Sequence, residues 1–151
     1  MRIGELCTRS VVTCNAHCSA ADIARLMRKQ HVGDVVVVEP VEDGQRPLGV
    51  VTDRDLVLQV LAPGIDPSAA KATDLMSPAI TALASDGVYD AIWHMRRKGC
   101  RRLPVVDAQG RLAGLVTLDD LTQFLATELV ELGRVSLRQH ELECARLPAL
   151  P

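Results

Sequence analysis

The order of apolar and polar residues along this chain occurs twice. Asp22–Val38 recurs as Asp90–Val106, 68 residues further on, and Gly49–Leu56 (GVVTDRDL) recurs as Gly114–Leu121 (GLVTLDDL). Each copy shows, in the same order, a helical spacing, an apolar run, a turn, a second apolar run and a Thr-x-x-Asp motif. Two similar copies predict two similar lobes, and a functional site is expected in the cleft between them.

One amphipathic helix is predicted in each copy. The apolar residues with helical spacing are Ala20, Ile23, Ala24 and Met27 in the first copy, and Val88, Ala91, Ile92 and Met95 in the second. Short β-like runs precede these helices at Val11–Thr13 and Ala79–Thr81. Ser19 or Cys18, and Asp86 in the second copy, stand where the helix N-caps are expected.

Two apolar runs in each copy predict buried strands. They are Val35–Val38 and Leu48–Val51 in the first copy, and Leu103–Val106 and Leu112–Val116 in the second. Turns at 42–44 and 108–110 separate the runs of each pair, and helices are expected to begin near Asp53 and Leu118. This order predicts an α/β protein of two β-α-β-β-α repeats related by a pseudo-twofold axis.

The predicted boundaries are a first repeat at 1–62, a linker at 63–72, a second repeat at 73–126, and a C-terminal helix and tail at 127–151. The Pro- and Gly-rich stretch at 62–67 marks the start of the linker. The C-terminal helix is expected to reach Leu142 and to stop at Pro148. One copy of about sixty residues buries little surface, so the two copies are expected to share one core.

Composition narrows the function classes. Of the 151 residues 48% are hydrophobic, the net charge is −2, and only Tyr89, Trp93 and Phe124 are aromatic. Nucleic-acid binding is not expected, because a basic field and stacking platforms are both lacking. The sequence shows neither a membrane-spanning apolar run nor a signal peptide, which predicts a cytoplasmic protein whose five cysteines are free thiols.

The Thr-x-x-Asp motif, Thr52/Asp55 and Thr117/Asp120, has two compatible interpretations. A threonine followed by an acid three residues later is typical of a capping box at the start of a helix. Both copies carry Asp instead of the usual Glu or Gln, and both have a glycine at the start of the preceding strand. Such a carboxylate at a strand end also suits the two hydroxyls of a ribose.

These residues together resemble a tandem pair of cystathionine-β-synthase (CBS) domains, known as a Bateman module. The resemblance covers 3–126 and rests on VVVVE and LPVVD, each followed by its Thr-x-x-Asp segment. It implies a sensor or regulatory module that binds AMP, ADP or ATP, with NAD and S-adenosylmethionine as further ligands. It also implies a homodimer and no catalytic activity.

The resemblance assigns roles to individual residues. Asp55 and Asp120 correspond to ribose-binding acids, and Thr52 and Thr117 line the same turns. Arg102 corresponds to a phosphate-binding arginine, and His17 to a position facing the ligand held by the other copy's acid.

Asp34 stands where the first copy should match Arg102, and it would repel phosphate. A cleft of Asp120, Arg102 and His17 is therefore expected to be the better nucleotide site. In the weaker cleft of Asp55, Arg54 compensates only in part.

Several other features of the sequence also have simpler explanations. The basic residues Arg96, Arg97, Lys98 and Arg101 either suit a helix C-terminus or add positive potential near the phosphates. The C-x-x-H-C motif of Cys14, His17 and Cys18 lacks a fourth zinc ligand, so no metal is expected. The main alternative to a nucleotide sensor, acting through population shift on an unidentified protein partner, is a ligand-free structural or interaction module.

Overall fold

The computed structural model describes residues 1–146 and confirms an α/β fold with two β-α-β-β-α repeats. A short helix, α1 (Ile3–Leu6), leads into the first repeat, which comprises β1 (Thr13–Asn15), α2 (Ala20–Gln30), β2 (Asp34–Val41), β3 (Gly44–Thr52) and α3 (Asp53–Leu56) with its π-helical continuation Val57–Leu61. A second lead-in, α4 (Ala72–Leu75) and β4 (Ser77–Pro78), precedes the second repeat, which comprises β5 (Ala82–Leu83), α5 (Val88–Lys98), β6 (Arg102–Val106), β7 (Leu112–Thr117) and α6 (Leu118–Arg146).

Each repeat forms its own sheet. The orders are β1-β2-β3-β4 and β5-β6-β7, with a parallel first pair and an antiparallel second pair in both. The predicted strands and turns are confirmed, and the turns use Asp43 (φ 59°) and Gly110 (φ 77°) in the left-handed region. The first strand of each repeat begins later than predicted, at Thr13 and Ala82. These are the first residues of the two segments that pair with β2 and β6, respectively.

The helix caps agree with the sequence in one repeat and differ in the other. The Ser19 hydroxyl accepts the N–H of Asp22 at 3.2 Å and caps α2, as predicted. The N-cap of α5 is Gly87, so the assignment to Asp86 is wrong. The Asp86 carboxylate turns back instead and accepts the N–H of Leu83 at 2.8 Å.

Apolar side chains form two helix–sheet cores and a third cluster between the sheets. Successive residues of β2 alternate between faces, so Val35 and Val37 pack under α2 while Val36 and Val38 meet Leu115 of the second sheet. The expectation of one shared core is therefore wrong. Strand alternation gives each sheet two apolar faces, and only one face of each is shared.

The two lead-in segments are exchanged between the repeats. Ile3 of α1 is fully buried in the core of the second repeat, where its N–H donates to the carbonyl of Asp86 at 2.9 Å. Ala72 and Leu75 of α4 are buried in the core of the first repeat. Each core is thus completed by a segment that precedes the other repeat in the sequence.

A glycine permits each exchanged segment to cross the sheet. A Cβ atom on Gly49 would lie 2.7 Å from the carbonyl oxygen of Ser77, and one on Gly114 would lie 3.0 Å from that of Thr8. Both distances are shorter than normal van der Waals contacts. The repeated glycine is therefore a point of close backbone approach in both repeats.

The predicted C-terminal helix is the uninterrupted continuation of α6, which runs for 29 residues. Leu121 is buried in the second core, whereas every residue from Leu125 to Arg146 is exposed. The predicted stop at Pro148 lies outside the described residues. Among the helices of residues 1–146, none has the length and apolar character needed to span a bilayer.

Substituting Ile3→Ala tests the exchange of lead-in segments. Because Ile3 is fully buried in the second core, we expect the free energy of unfolding to fall by about 2–5 kcal/mol, measured by urea denaturation. Ile65→Ala is the matched control: this side chain is 47% exposed, so a change within about 0.5 kcal/mol is expected. Equal small effects in both variants would contradict the burial of α1.

Candidate functional site

Two clefts lie between the repeats. The Asp55 cleft is lined by residues that include Val50, Thr52, Asp55, Ile80, Arg101 and Arg102. The Thr117 cleft is lined by residues that include Ser10, Val12, Gly33, Asp34, Leu115 and Thr117. Their volumes are similar, about 210 and 240 Å³, so chemical character and not size distinguishes them.

Both Thr-x-x-Asp motifs form capping boxes with the same geometry. Asp55 Oδ2 accepts the N–H of Thr52 at 2.8 Å and its hydroxyl at 2.7 Å, while the Asp55 N–H donates to Thr52 Oγ1 at 3.2 Å. Thr117 and Asp120 show the same three distances. The capping interpretation is therefore confirmed in both repeats.

The capping bonds occupy only one oxygen of each carboxylate. Asp55 Oδ1 accepts a long hydrogen bond of 3.3 Å from Gln59 Nε2, which also donates to the carbonyl of Leu75 at 3.1 Å. A carboxylate oxygen has more than one acceptor position, so Oδ1 retains capacity for a ligand hydroxyl. The cap fixes the rotamer of the half-buried acid and does not use this oxygen.

Arg102 and Asp34 occupy equivalent positions of the two repeats, 68 residues apart, and their side chains bond to each other through Arg102 Nε and Asp34 Oδ2. Equivalent residues meet only on the pseudo-twofold axis, so this ion pair marks that axis. The Arg102 side chain is 31% exposed and that of Asp34 is 15% exposed. The recorded bond uses Nε, which leaves the terminal guanidinium nitrogens for another acceptor.

Arg102 lines the cleft of Asp55, whereas the sequence grouped it with Asp120. Asp34 lines the Thr117 cleft instead. The reason is geometric: residues at the start of β6 lie across the axis from the end of β3. A side chain from one repeat therefore contributes to the cleft whose Thr-x-x-Asp motif belongs to the other repeat.

Electrostatics separate the two clefts. Arg101 and Arg102 both line the Asp55 cleft, and the Arg101 guanidinium makes only an exposed ion pair of 3.6 Å with Asp119, which contributes little. Burial raises the pKa of the Cys100 thiol, which also lines this cleft, so the thiol is neutral at pH 7. The Thr117 cleft has the Asp34 carboxylate in place of these cations.

Two other predicted site residues lie elsewhere. His17 is exposed in the turn before α2, where its backbone N–H donates to Asn15 Oδ1 at 2.9 Å. Arg54 is exposed on α3, and its backbone N–H donates to Asp53 Oδ1 at 2.8 Å. Neither is among the described residues that line the two clefts, so their assignment to a nucleotide site rests on the resemblance alone.

Cys14, His17 and Cys18 remain near one another in sequence but differ in environment. Cys14 is buried in the first core, and burial, together with the neighbouring Cys18 thiol, raises the pKa of Cys14 to about 12. A protonated thiol is a poor metal ligand. Across residues 1–146, no group of three or more His, Cys, Asp or Glu side chains is arranged to hold a metal ion.

Sequence reasoning missed the contribution of the lead-in segments to the clefts. Ser77, Pro78 and Ile80 line the Asp55 cleft, and Thr8 and Ser10 line the Thr117 cleft. The signal in the sequence was Gly49 in the first repeat and Gly114 in the second. Each glycine marks where the lead-in segment that precedes the other repeat crosses the sheet.

Comparison with known proteins identifies the family. The CBS domain model matches residues 3–62 and 72–127, and the chain therefore belongs to the CBS-domain family as a tandem pair. An uncharacterized protein of Methanopyrus kandleri, MK0525, is 40% identical over 122 residues, which are 80% of this chain. The aligned part of this chain spans 61% of that relative's length.

Solved structures show the same fold. The Pyrobaculum aerophilum CBS domain protein PAE2072, solved in complex with AMP, superposes with a TM-score of 0.73 and 29% identity over 84% of this chain and 99% of that chain. Hypoxic Response Protein I, solved with two coordinated zinc ions, gives a TM-score of 0.70 and 28% identity over 82% of this chain and 98% of that chain.

Replacing each capping threonine tests the equivalence of the two boxes. Thr52→Ala and Thr117→Ala should each lower the free energy of unfolding by about 1 kcal/mol, since each removes the same hydroxyl from the same cap. Chemical denaturation followed by circular dichroism measures the change. Thr127→Ala, an exposed helical threonine that donates to the Gln123 carbonyl, is the control and should change it by less than about 0.5 kcal/mol.

Proposed function

We propose that this protein is a non-catalytic regulatory module that binds an adenine nucleotide in the Asp55 cleft. One observation carries the proposal: the carboxylate of Asp55 from the first repeat and the guanidinium groups of Arg101 and Arg102 from the second line the same cleft. An acid suited to ribose hydroxyls and a pair of cations suited to phosphate are the polar groups that a nucleotide requires.

Each part of the nucleotide has a partner in this cleft. Asp55 Oδ1 accepts the ribose hydroxyls while Oδ2 stays in the cap, and Arg102 donates to the phosphate through its terminal nitrogens. Val50 and Ile80 provide aliphatic surface for the adenine ring. AMP is the first candidate because PAE2072, the structural neighbour described above, was solved with AMP. ADP, ATP, NAD and S-adenosylmethionine are the other ligands to compare.

The Thr117 cleft is the weaker site in this proposal. Asp34 lines this cleft, and although its carboxylate is paired with Arg102, a negative charge in a half-buried cleft disfavours a phosphate. Binding is therefore unequal, with the Asp55 cleft occupied first. This order is the reverse of the one expected from the sequence, and it is supported by Arg102 lining the Asp55 cleft and Asp34 lining the Thr117 cleft.

Signalling follows from the position of the site between the repeats. A nucleotide in the Asp55 cleft contacts both sheets, so it favours the arrangement in which Asp55 and Arg102 are correctly spaced. A ligand shifts the equilibrium between two arrangements of the repeats only to the extent that it binds one arrangement more tightly than the other. A protein partner that contacts both repeats would then read this arrangement.

Assembly and location belong to the same proposal. An apolar groove between α2 and the π-helical segment contains Ala24, Val57 and Leu61, and the side chains of Val57 and Leu61 are 50% and 66% exposed. Such a surface supports a homodimer that buries it. The five cysteines are free thiols, which agrees with a cytoplasmic protein.

Comparing Asp55→Ala with Asp120→Ala tests the site. Both variants lose the same cap, so both should be destabilised equally, by about 1 kcal/mol. Only Asp55→Ala should lose nucleotide affinity, by about tenfold or more, because hydrogen bonds to a charged group contribute about 1.5–3 kcal/mol. Isothermal titration calorimetry with AMP, ADP, ATP, NAD and S-adenosylmethionine measures this difference.

Two results would contradict the assignment. Equal loss of affinity in both variants would mean that the caps, and not a ribose contact, control binding. Absence of binding by every ligand in the wild-type protein would instead favour the ligand-free interaction module.

Asp34→Asn tests the inequality of the clefts. Removing this carboxylate frees the Arg102 guanidinium from its counter-charge, so the affinity of the Asp55 cleft for AMP should rise about fivefold, which corresponds to about 1 kcal/mol. The gain should shrink at 1 M salt, since screening weakens the charge interaction. Weaker binding by this variant would show instead that Asp34 positions Arg102 for the ligand.

A further inference from the structure

The distal part of α6, from Leu125 to Arg146, is the largest exposed element of the described chain. It extends about 33 Å at 1.5 Å per residue, and the family match ends at residue 127, near its start. Leu129, Leu132 and Val135 have side chains 70%, 67% and 64% exposed. A globular domain rarely leaves so continuous an apolar surface in water, so this surface calls for a partner.

Four of the seven exposed large apolar residues of this segment follow the seven-residue spacing of a coiled coil, and Leu129, Val130 and Leu137 lie off that seam. One line of positions along the helix is connected by alternating steps of three and four residues, and we call this line the seam. The seam consists of Leu125, Glu128, Leu132, Val135, Gln139 and Leu142. Four of the six are apolar. The two polar ones, Glu128 and Gln139, lie at equal distances from the midpoint between Leu132 and Val135.

That symmetry favours an antiparallel partner with the same sequence. With the seam centred between Leu132 and Val135, Leu132 packs against the partner's Val135 and Leu125 packs against the partner's Leu142. Glu128 then meets the partner's Gln139, an acceptor facing an amide donor. A parallel pair would instead place Glu128 against the partner's Glu128, two like charges in an apolar seam.

The charges beside the seam agree with the same register. Glu131 and Arg138 flank the seam on one side, and the antiparallel register brings Glu131 next to the partner's Arg138, twice in each pair of helices. Within one chain these side chains make only exposed contacts along the helix, Glu131 with Arg134 and Arg138 with Glu141. Arg134 and Glu141 lie on the outer side of the helix, away from the seam.

We propose that the distal part of α6 pairs with the same segment of a second copy of this chain as an antiparallel coiled coil. The pairing is separate from the nucleotide clefts and from the groove between α2 and the π-helical segment. The coiled coil therefore joins either two single chains or two homodimers that have formed through that groove. In both cases it doubles the number of chains in each particle.

Charge exchange in the full-length protein tests this pairing. Glu131→Arg and Arg138→Glu each place two like-charged pairs across the seam, so each single variant should halve the number of chains per particle, measured by light scattering after size-exclusion chromatography. The double variant restores opposite charges at both sites and should recover the wild-type mass. All substituted positions are exposed, and circular dichroism checks that helix content is unchanged.

The controls keep the same change in net charge but act on the outer side of the helix. Glu141→Arg matches Glu131→Arg, and Arg134→Glu matches Arg138→Glu, so both controls should keep the wild-type mass.

The proposal is overturned if neither single variant changes the mass. It is also overturned if the double variant stays at the halved mass, because a parallel pair or a different protein partner would not follow the exchange of charges.

Discussion

The crossing of each lead-in segment over the sheet of the other repeat is the constraint on which this structure depends. Gly49 and Gly114 have no side chain, and this lets the backbone at Ser77 and Thr8 approach within a distance that a Cβ atom would prevent. Through this crossing Ile3 enters the second core and Leu75 enters the first. The cores, the edges of both sheets and the walls of both clefts all follow from the same exchange.

Local features were predictable from the sequence because local physics produces them. Strand runs such as Val35–Val38, the turn at Gly110 and the Thr-x-x-Asp caps depend on residues that are close together in the chain. The pairing of Arg102 with Asp55 was not predictable in this way. Repeat alignment shows that Asp34 and Arg102 are equivalent, but equivalence alone does not show which cleft each side chain enters. That depends on how the sheets face each other across the axis.

The same residues that stabilise the helix starts also prepare the candidate site. Because Asp55 Oδ2 is held by Thr52 at 2.7 and 2.8 Å, the carboxylate has little rotational freedom left to lose when Oδ1 meets a ligand. The shorter Asp in place of Glu suits this double use, since its second oxygen stays close to the strand end. In the proposed site, stability and recognition therefore share one side chain, and the surrounding charges favour the repeat that carries Asp55.

The ion pair between Asp34 and Arg102 has a consequence for how such a chain can arise. A residue on a twofold axis meets its own copy, so two identical repeats would place acid against acid or base against base at this point. Opposite charges there require two copies whose sequences have diverged from each other. This contact between the repeats on their axis is thus available only to copies that have diverged, and the divergence that allows it also makes the two clefts differ.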